Sequence, residues 1–430
     1  MFKDGDDVGL ASETTPILRN NDARLYNDDN NGDDDDDFSL SSERTSRRNK
    51  IWIKIIYLLG SLVFIPLAYY LLVYLPRQAP EASKKPLNIV KLGSLPVYLY
   101  PAMKQGLEFD MDFDLELELS NDKYQFLDEI VELQEQMVKK KKKFVKRLIL
   151  IGDIHGSFNQ LTNLMQELKI NYQDDHIIML GDFLTKGDDS FGVLNWAVGN
   201  NIGCILGNHE VEILKRYAQY HGLKQPQFVT NNTSNEDEKK INDNINENFI
   251  TKDFFDLDEE MKIAKKLSSH HIDYLTNCPL IYELGRVSHR YKQSETFIDD
   301  QPIQGIAVHG GLVWDIENLE DQDPETVISI RALAPPDFTK PVENPKSVKG
   351  SESWSKHWNI KQQENLQDGK LPQKVFYGHY AKKGFQPKEF TVGLDSGCAA
   401  GNQLTAISIW AEKGKHGKIV YRDKFYQVDC

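Results

Sequence analysis

From Leu148 onward the chain uses one arrangement of apolar and polar positions five times. Leu148 to Ile151 leads into Asp153 and His155, Ile177 to Leu180 into Asp182, and Ile202 to Leu206 into Asn208. Ile306 to Val308 leads into His309, and Val375 to Tyr377 into His379. Apolar runs this short predict buried strands. Between the first two runs, Leu161, Leu164, Met165 and Leu168 are spaced to form one face of a helix, and strand, helix, strand predicts parallel pairing. The later runs, Ile281 to Leu284, Gly305 to Val308, Phe390 to Leu394 and Leu404 to Ile409, lie closer together and predict a second, mixed sheet. An α/β helix–sheet–sheet–helix sandwich over residues 148–430 accommodates both.

Upstream the pattern changes. Residues 51–75 are apolar on every face, with Lys54 as the only charge, and are long enough to span a lipid bilayer as one transmembrane helix. A cleaved signal peptide does not fit, because the run starts late, is longer than such a segment and ends on Pro76 and Arg77. Arg47, Arg48 and Lys50 immediately before the helix, against Arg77 alone just after it, favour a signal-anchor with a cytosolic N-terminus. The remainder then lies in a lumen or outside the cell. Residues 1–50, rich in Asp, Asn and Ser, are too poor in apolar surface to fold and predict a disordered cytosolic tail. Residues 76–147 predict a linker, an edge strand within 108–119 and a helix over 123–138 that ends in the lysines 139–143. Polar insertions are expected at Gln225 to Phe249 and Ala334 to Ser353. Overlapping glycosylation sequons at Asn231 and Asn232, and the dileucine-like Glu13 to Leu18, agree with the orientation.

A formal charge of -14 disfavours a nucleic-acid partner. Four widely spaced cysteines, Cys204, Cys278, Cys398 and Cys430, form no C-x-x-C pair and exclude a zinc knuckle; Cys204, in an apolar run, reads as core packing. The chemistry therefore rests on the strand ends, where ligands gather in open parallel sheets. Carboxylate, imidazole and amide oxygen suit borderline divalent ions. Six ligands, Asp153, His155, Asp182, Asn208, His309 and His379, exceed what one tetrahedral ion takes. Two ions about 3.5 to 4 Å apart sharing Asp182 would use them all, which points to hydrolysis of phosphoesters or phosphoanhydrides.

In order along the chain, Gly152-Asp-Ile-His-Gly156, Gly181-Asp182, Gly207-Asn-His-Glu210, His309-Gly-Gly311 and Gly378-His379 resemble the calcineurin-like metallophosphoesterases. The resemblance implies that Asp153 and His155 hold the first metal, that Asp182 bridges, and that Asn208, His309 and His379 hold the second. His209 would be the acid that protonates the leaving oxygen, with Asp182 as the other catalytic residue. Zinc is implied first, with manganese, cobalt, iron or magnesium as substitutes. The protein serine/threonine phosphatases of this superfamily carry G-D-x-x-D-R-G, whereas this chain has Gly181 to Gly187 with Thr185 and Lys186 in place of the carboxylate and the arginine. Thr185 offers His209 only weak orientation. Gly393 to Cys398 followed by Leu404-Thr-Ala406 resembles diadenosine tetraphosphatases and vacuolar zinc-dependent endopolyphosphatases, the latter also in the single anchor. That resemblance implies a vacuole membrane protein with a luminal catalytic domain and inorganic polyphosphate as substrate, with Lys186 and Lys356 as substrate contacts. Protein phosphatase, diadenosine tetraphosphate hydrolase and a non-catalytic membrane scaffold are the alternatives.

Overall fold

The computed structural model describes residues 37–74, 80–99, 101–102, 143–230, 258–289, 291–293, 296–298, 302–413 and 419–430. The dileucine-like signal, the strand within 108–119, the helix over 123–138, the lysines up to 142 and both sequons lie outside them. The chain divides into two compact units, Met1–Pro76 and Arg77–Cys430.

In the first unit, helix α1 runs Asp37–Tyr69 and continues as a π-turn, Tyr70–Tyr74. It starts earlier than the expected Ile51, because the polar residues after Asp37 contain no helix breaker. Arg47–Leu72, 26 residues that include an 18-residue stretch of mean hydropathy 2.1 with no burial, is long and apolar enough to cross a membrane. Pro66 lies inside the helix and removes one backbone donor, and the widened turn follows it.

The second unit holds two six-stranded sheets. Their strands in chain order are β1 (Leu92–Ser94), β2 (Pro101–Ala102), β3 (Arg147–Ile151), β4 (Asp175–Met179), β5 (Gly203–Cys204), β6 (Ile281–Val287), β7 (Ile303–Val308), β8 (Gln373–Tyr377), β9 (Gln386–Pro387), β10 (Thr391–Gly393), β11 (Gln403–Lys413) and β12 (Ile419–Asp429). The first sheet runs β12-β11-β3-β4-β5, with β2 beside β11; β3, β4 and β5 are parallel, as expected. The second runs β9-β10-β8-β7-β6-β1 and is mixed. Leu148 to Ile151, Ile306 to Val308, Val375 and Phe376 are fully buried in one apolar core that joins both sheets. Helix α2 (Phe158–Leu168) buries Leu161, Leu164, Met165 and Leu168, the face that the spacing predicted.

Three expectations change. Leu404 to Ile409 belongs to the first sheet, where β11 pairs antiparallel with β3 (Ala406 opposite Ile151), because β3 would otherwise leave an open edge. The described residues of 76–147 include paired strands: β1 and β2 each join a sheet, and Val97–Leu99 pairs with Lys143–Val145. Ala334 to Ser353 is not all loop: its turns join Lys340–Val342 and Glu352–Ser353, which flank Ala332–Ala334 in a small sheet. The cysteines form two disulfides, Cys204–Cys278 and Cys398–Cys430, so Cys204 is a cross-link as well as core. They close 74-residue and 32-residue separations, each of which restricts the unfolded chain.

Candidate metal centre

Seven polar groups, Asp153, His155, Asp182, Asn208, His309, His379 and Asp395, sit just past the carboxyl ends of β3, β4, β5, β7, β8 and β10, and the chain must turn sharply there to point them inward. The backbone carries the strain of that turn. His155, Asp182, Thr185, Lys186 and His379 have φ of 47°, 49°, 69°, 62° and 69°, in the left-handed region that residues other than glycine seldom enter. Gly207 and Gly378 leave room for ligand carboxylates: a Cβ at either would collide with Asp182 or Asp153.

Asp182 is the hub. His309 Nε2 lies 3.3 Å from its Oδ1, and His155 Nε2 and His209 Nε2 lie 3.8 and 3.9 Å from its Oδ2. The backbone N–H of His209, in the first turn of helix α3 (Asn208–His221), donates to Oδ1 at 3.1 Å. Asn208 Oδ1 lies 3.3 Å from His309 Nε2. Asp182, His309 and His379 form one close group and Asp182, His155 and His209 another. Asp153 is in neither. Both of its oxygens accept from His379 N, at 3.1 and 3.0 Å, and the Asp395 carboxyl is its neighbour.

The donors suit divalent cations. His309 Nδ1 donates to the Leu180 carbonyl at 2.7 Å, His379 Nε2 to Ser329 at 2.9 Å and His155 Nδ1 to Leu184 at 3.3 Å. His155 and His379 thus each keep the other nitrogen as a lone pair. Burial lowers the His155 pKa to about 4 and that of His379 well below its ordinary value, which keeps both rings neutral. Burial also opposes charge on His309, but Asp182 and Asp153 outweigh it and lift this ring to about 10. Burial would raise Asp182 too, yet His309 holds it well below the carboxylate range. Asp153, by contrast, is pushed well above that range by burial and by Asp395. Lys186 Nζ lies 3.0 Å from His155 Nε2.

Sequence reasoning assigned no role to Glu210, Asp395, Arg331, Lys346 or Glu260. Glu210 is fully buried and accepts from three backbone N–H groups, of Asp182, Leu184 and Gly207; its place in the first helical turn after Gly207 is a capping signal that could have revealed it. Asp395 follows β10, is 4% exposed and lines the cleft. Arg331 lines the same cleft and lies over the Tyr380 ring. Glu260 reaches His209 from a distant helix. Lys356 is a correction: it is not among the residues lining the cleft but pairs at 2.7 Å with Glu352, in the strand that precedes its helix. The cleft, of about 430 Å³, has Lys186, Arg331, Lys346 and Lys382 among its walls. Because Asp395 faces Asp153, Asp395→Asn is expected to weaken metal binding about tenfold in titrations of the stripped protein; unchanged affinity for both ions would remove Asp395 from the centre.

Two sheets that deliver carboxylates, imidazoles and an amide to one cleft define a metal-dependent hydrolase of phosphate esters or anhydrides. The chain belongs to the calcineurin-like phosphoesterases, whose family profile matches residues 146–382. This family needs a dinuclear metal centre. A zinc-dependent endopolyphosphatase of Saccharomyces cerevisiae is 25% identical over 315 residues, which is 66% of this chain and 81% of that protein. A symmetrical bis(5'-nucleosyl)-tetraphosphatase of Buchnera aphidicola is 34% identical over 83 residues, 19% of this chain and 30% of that protein. A solved protein serine/threonine phosphatase from Saccharomyces cerevisiae shares 16% identity at a TM-score of 0.33, over 65% of this chain and 79% of that one.

Proposed function

We propose that the protein is a membrane-anchored, zinc-dependent endopolyphosphatase that cleaves inorganic polyphosphate internally. The observation that carries this reading is the cleft: Lys186, Arg331, Lys346 and Lys382 border a centre of six oxygen and nitrogen donors. A linear phosphoanhydride carries charge on every unit and needs cations along its path, whereas a phosphoserine presents one dianion on a neutral chain. The likeness to the yeast zinc-dependent enzyme along most of its length supports the same substrate and metal. Among the described residues α1 is the membrane-crossing candidate, and two disulfides suit the oxidising, luminal side of a vacuole membrane.

Asp153 and His155 would hold one ion, Asn208, His309 and His379 the other, and Asp182 both. When bound, the ions supply Lewis acidity and a nucleophile at neutral pH. Lys186 and Arg331 orient the phosphate chain, the first as a point charge, the second through its planar guanidinium. His209, half-buried beside Asp182, protonates the leaving oxygen.

The detergent-solubilised full-length chain, stripped and reloaded separately with zinc, cobalt, manganese or magnesium, is expected to shorten long polyphosphate far faster than it dephosphorylates phosphopeptides or splits diadenosine tetraphosphate. A reversed ranking would sink the polyphosphate reading. Two bound equivalents of metal with turnover of none of these substrates would instead favour a scaffold.

A further inference from the structure

Thr185 stands where related protein phosphatases carry a carboxylate, and it does not replace that group: its hydroxyl is buried without a hydrogen-bond partner. The His209 ring is nevertheless held. Its Nδ1 lies 2.7 Å from Glu260 Oε1, in a pair whose side chains are only 20% and 17% exposed. Glu260 comes from α4 (Glu259–Ala264), 51 residues further along the chain.

This short helix is fastened to the site by each of its leading acids. Asp258 caps it through Met261 N at 2.7 Å and pairs with Arg216 of α3 at 2.6 Å. Glu259 accepts the Lys186 backbone N–H at 2.5 Å. Met261, Ile263 and Ala264 are buried beneath them. The acids therefore tie together the helix that carries His209 and the loop that carries Thr185 and Lys186.

We infer that Glu260 is a positioning residue for His209, supplying from a separate helix the carboxylate that position 185 lacks. With Nδ1–H donated to Glu260, only Nε2 faces the centre, 3.9 Å from Asp182 Oδ2, and the ring cannot flip without breaking a charge-assisted bond. In the step served, a water oxygen bonds to phosphorus and gives up one proton to solvent. The bond from phosphorus to the leaving oxygen breaks, its electron pair stays on that oxygen, and the Nε2 proton of His209 passes to it. The neutral ring keeps its Nδ1 proton on Glu260.

The inference rests on His209 being the acid, and leaving-group dependence separates the two claims. A positioned acid matters for a poor leaving group and little for one that departs as a stable anion. In the metal-loaded full-length protein, Glu260→Gln is expected to lower kcat about tenfold or more on phenyl phosphate but less than about threefold on p-nitrophenyl phosphate, with bound metal unchanged. His209→Asn should show the same signature more strongly. Thr185→Asp placed in the Glu260→Gln background should recover at least half of the loss, since aspartate tolerates the left-handed backbone at that position. Equal losses of Glu260→Gln on both substrates, or release of metal, would overturn the positioning role. If His209→Asn also lacks the signature, the acid reading falls with it; if His209→Asn keeps it, Glu260 alone is wrong.

Discussion

Asp182→Asn is expected to lower kcat/KM on polyphosphate by about 10³-fold or more and to reduce tightly bound metal from two equivalents to one or none. No other side chain touches as much of the centre. Its two oxygens face His309 on one side and His155 and His209 on the other, and Oδ1 also accepts the N–H at the start of α3. An amide keeps the size and one acceptor, so the loops stay in place, and asparagine tolerates the positive φ of 49° at this position. What it removes is the negative charge that two cations would share. Metal analysis of the purified variant beside steady-state kinetics is the check. Retention of two ions with more than about a tenth of the activity would deny Asp182 its bridging place.

The centre was legible in the sequence because each of its groups follows a short buried run within a few residues, so local pattern carries the information. Asp153, His155, Asp182, Asn208, His309 and His379 all belong to that kind. The residues that escaped are those whose neighbours are set by tertiary pairing. Glu260 lies beyond a polar insertion, and nothing local marks it as a partner of His209. Arg331 and Lys346 sit at and in a segment that reads as a surface loop but folds as a small sheet beside the cleft. Lys356 went the opposite way: closeness in sequence suggested the site, whereas its ammonium pairs with Glu352 in the strand just before its helix. Likewise, apolar runs predict strands but not their sheet, which is why β11 was expected in the wrong one. The disulfides needed two pairs of Cα atoms 5.1 and 5.2 Å apart, and spacing along the chain does not report that.

Glu210→Gln is expected to cost about 3 kcal/mol of folding stability, the largest loss for a side chain that need not touch substrate. Glu210 Oε2 accepts from Asp182 N at 2.7 Å and Gly207 N at 3.0 Å, and Oε1 accepts from Leu184 N at 3.0 Å. A glutamine can satisfy one side of this set, but its amide then points a donor at a donor in a fully buried place. The two loops so released carry Asp182 and Asn208, so metal affinity should fall with stability. The loss has a pH signature. Burial, and next the Asp182 charge, lift the Glu210 carboxyl from its ordinary 4.5 to about 6. Between those values the folded chain binds more proton than the unfolded one, so the contribution of Glu210 is greatest below about 4.5 and declines until about 6. Glutamine has no such titration. The stability difference between wild type and variant, from denaturant melts of the metal-free full-length chain, should therefore shrink by about 2 kcal/mol across that window and then stay level. A difference that grows with pH would mean that the three N–H groups hold the carboxylate more firmly than burial and Asp182 oppose it.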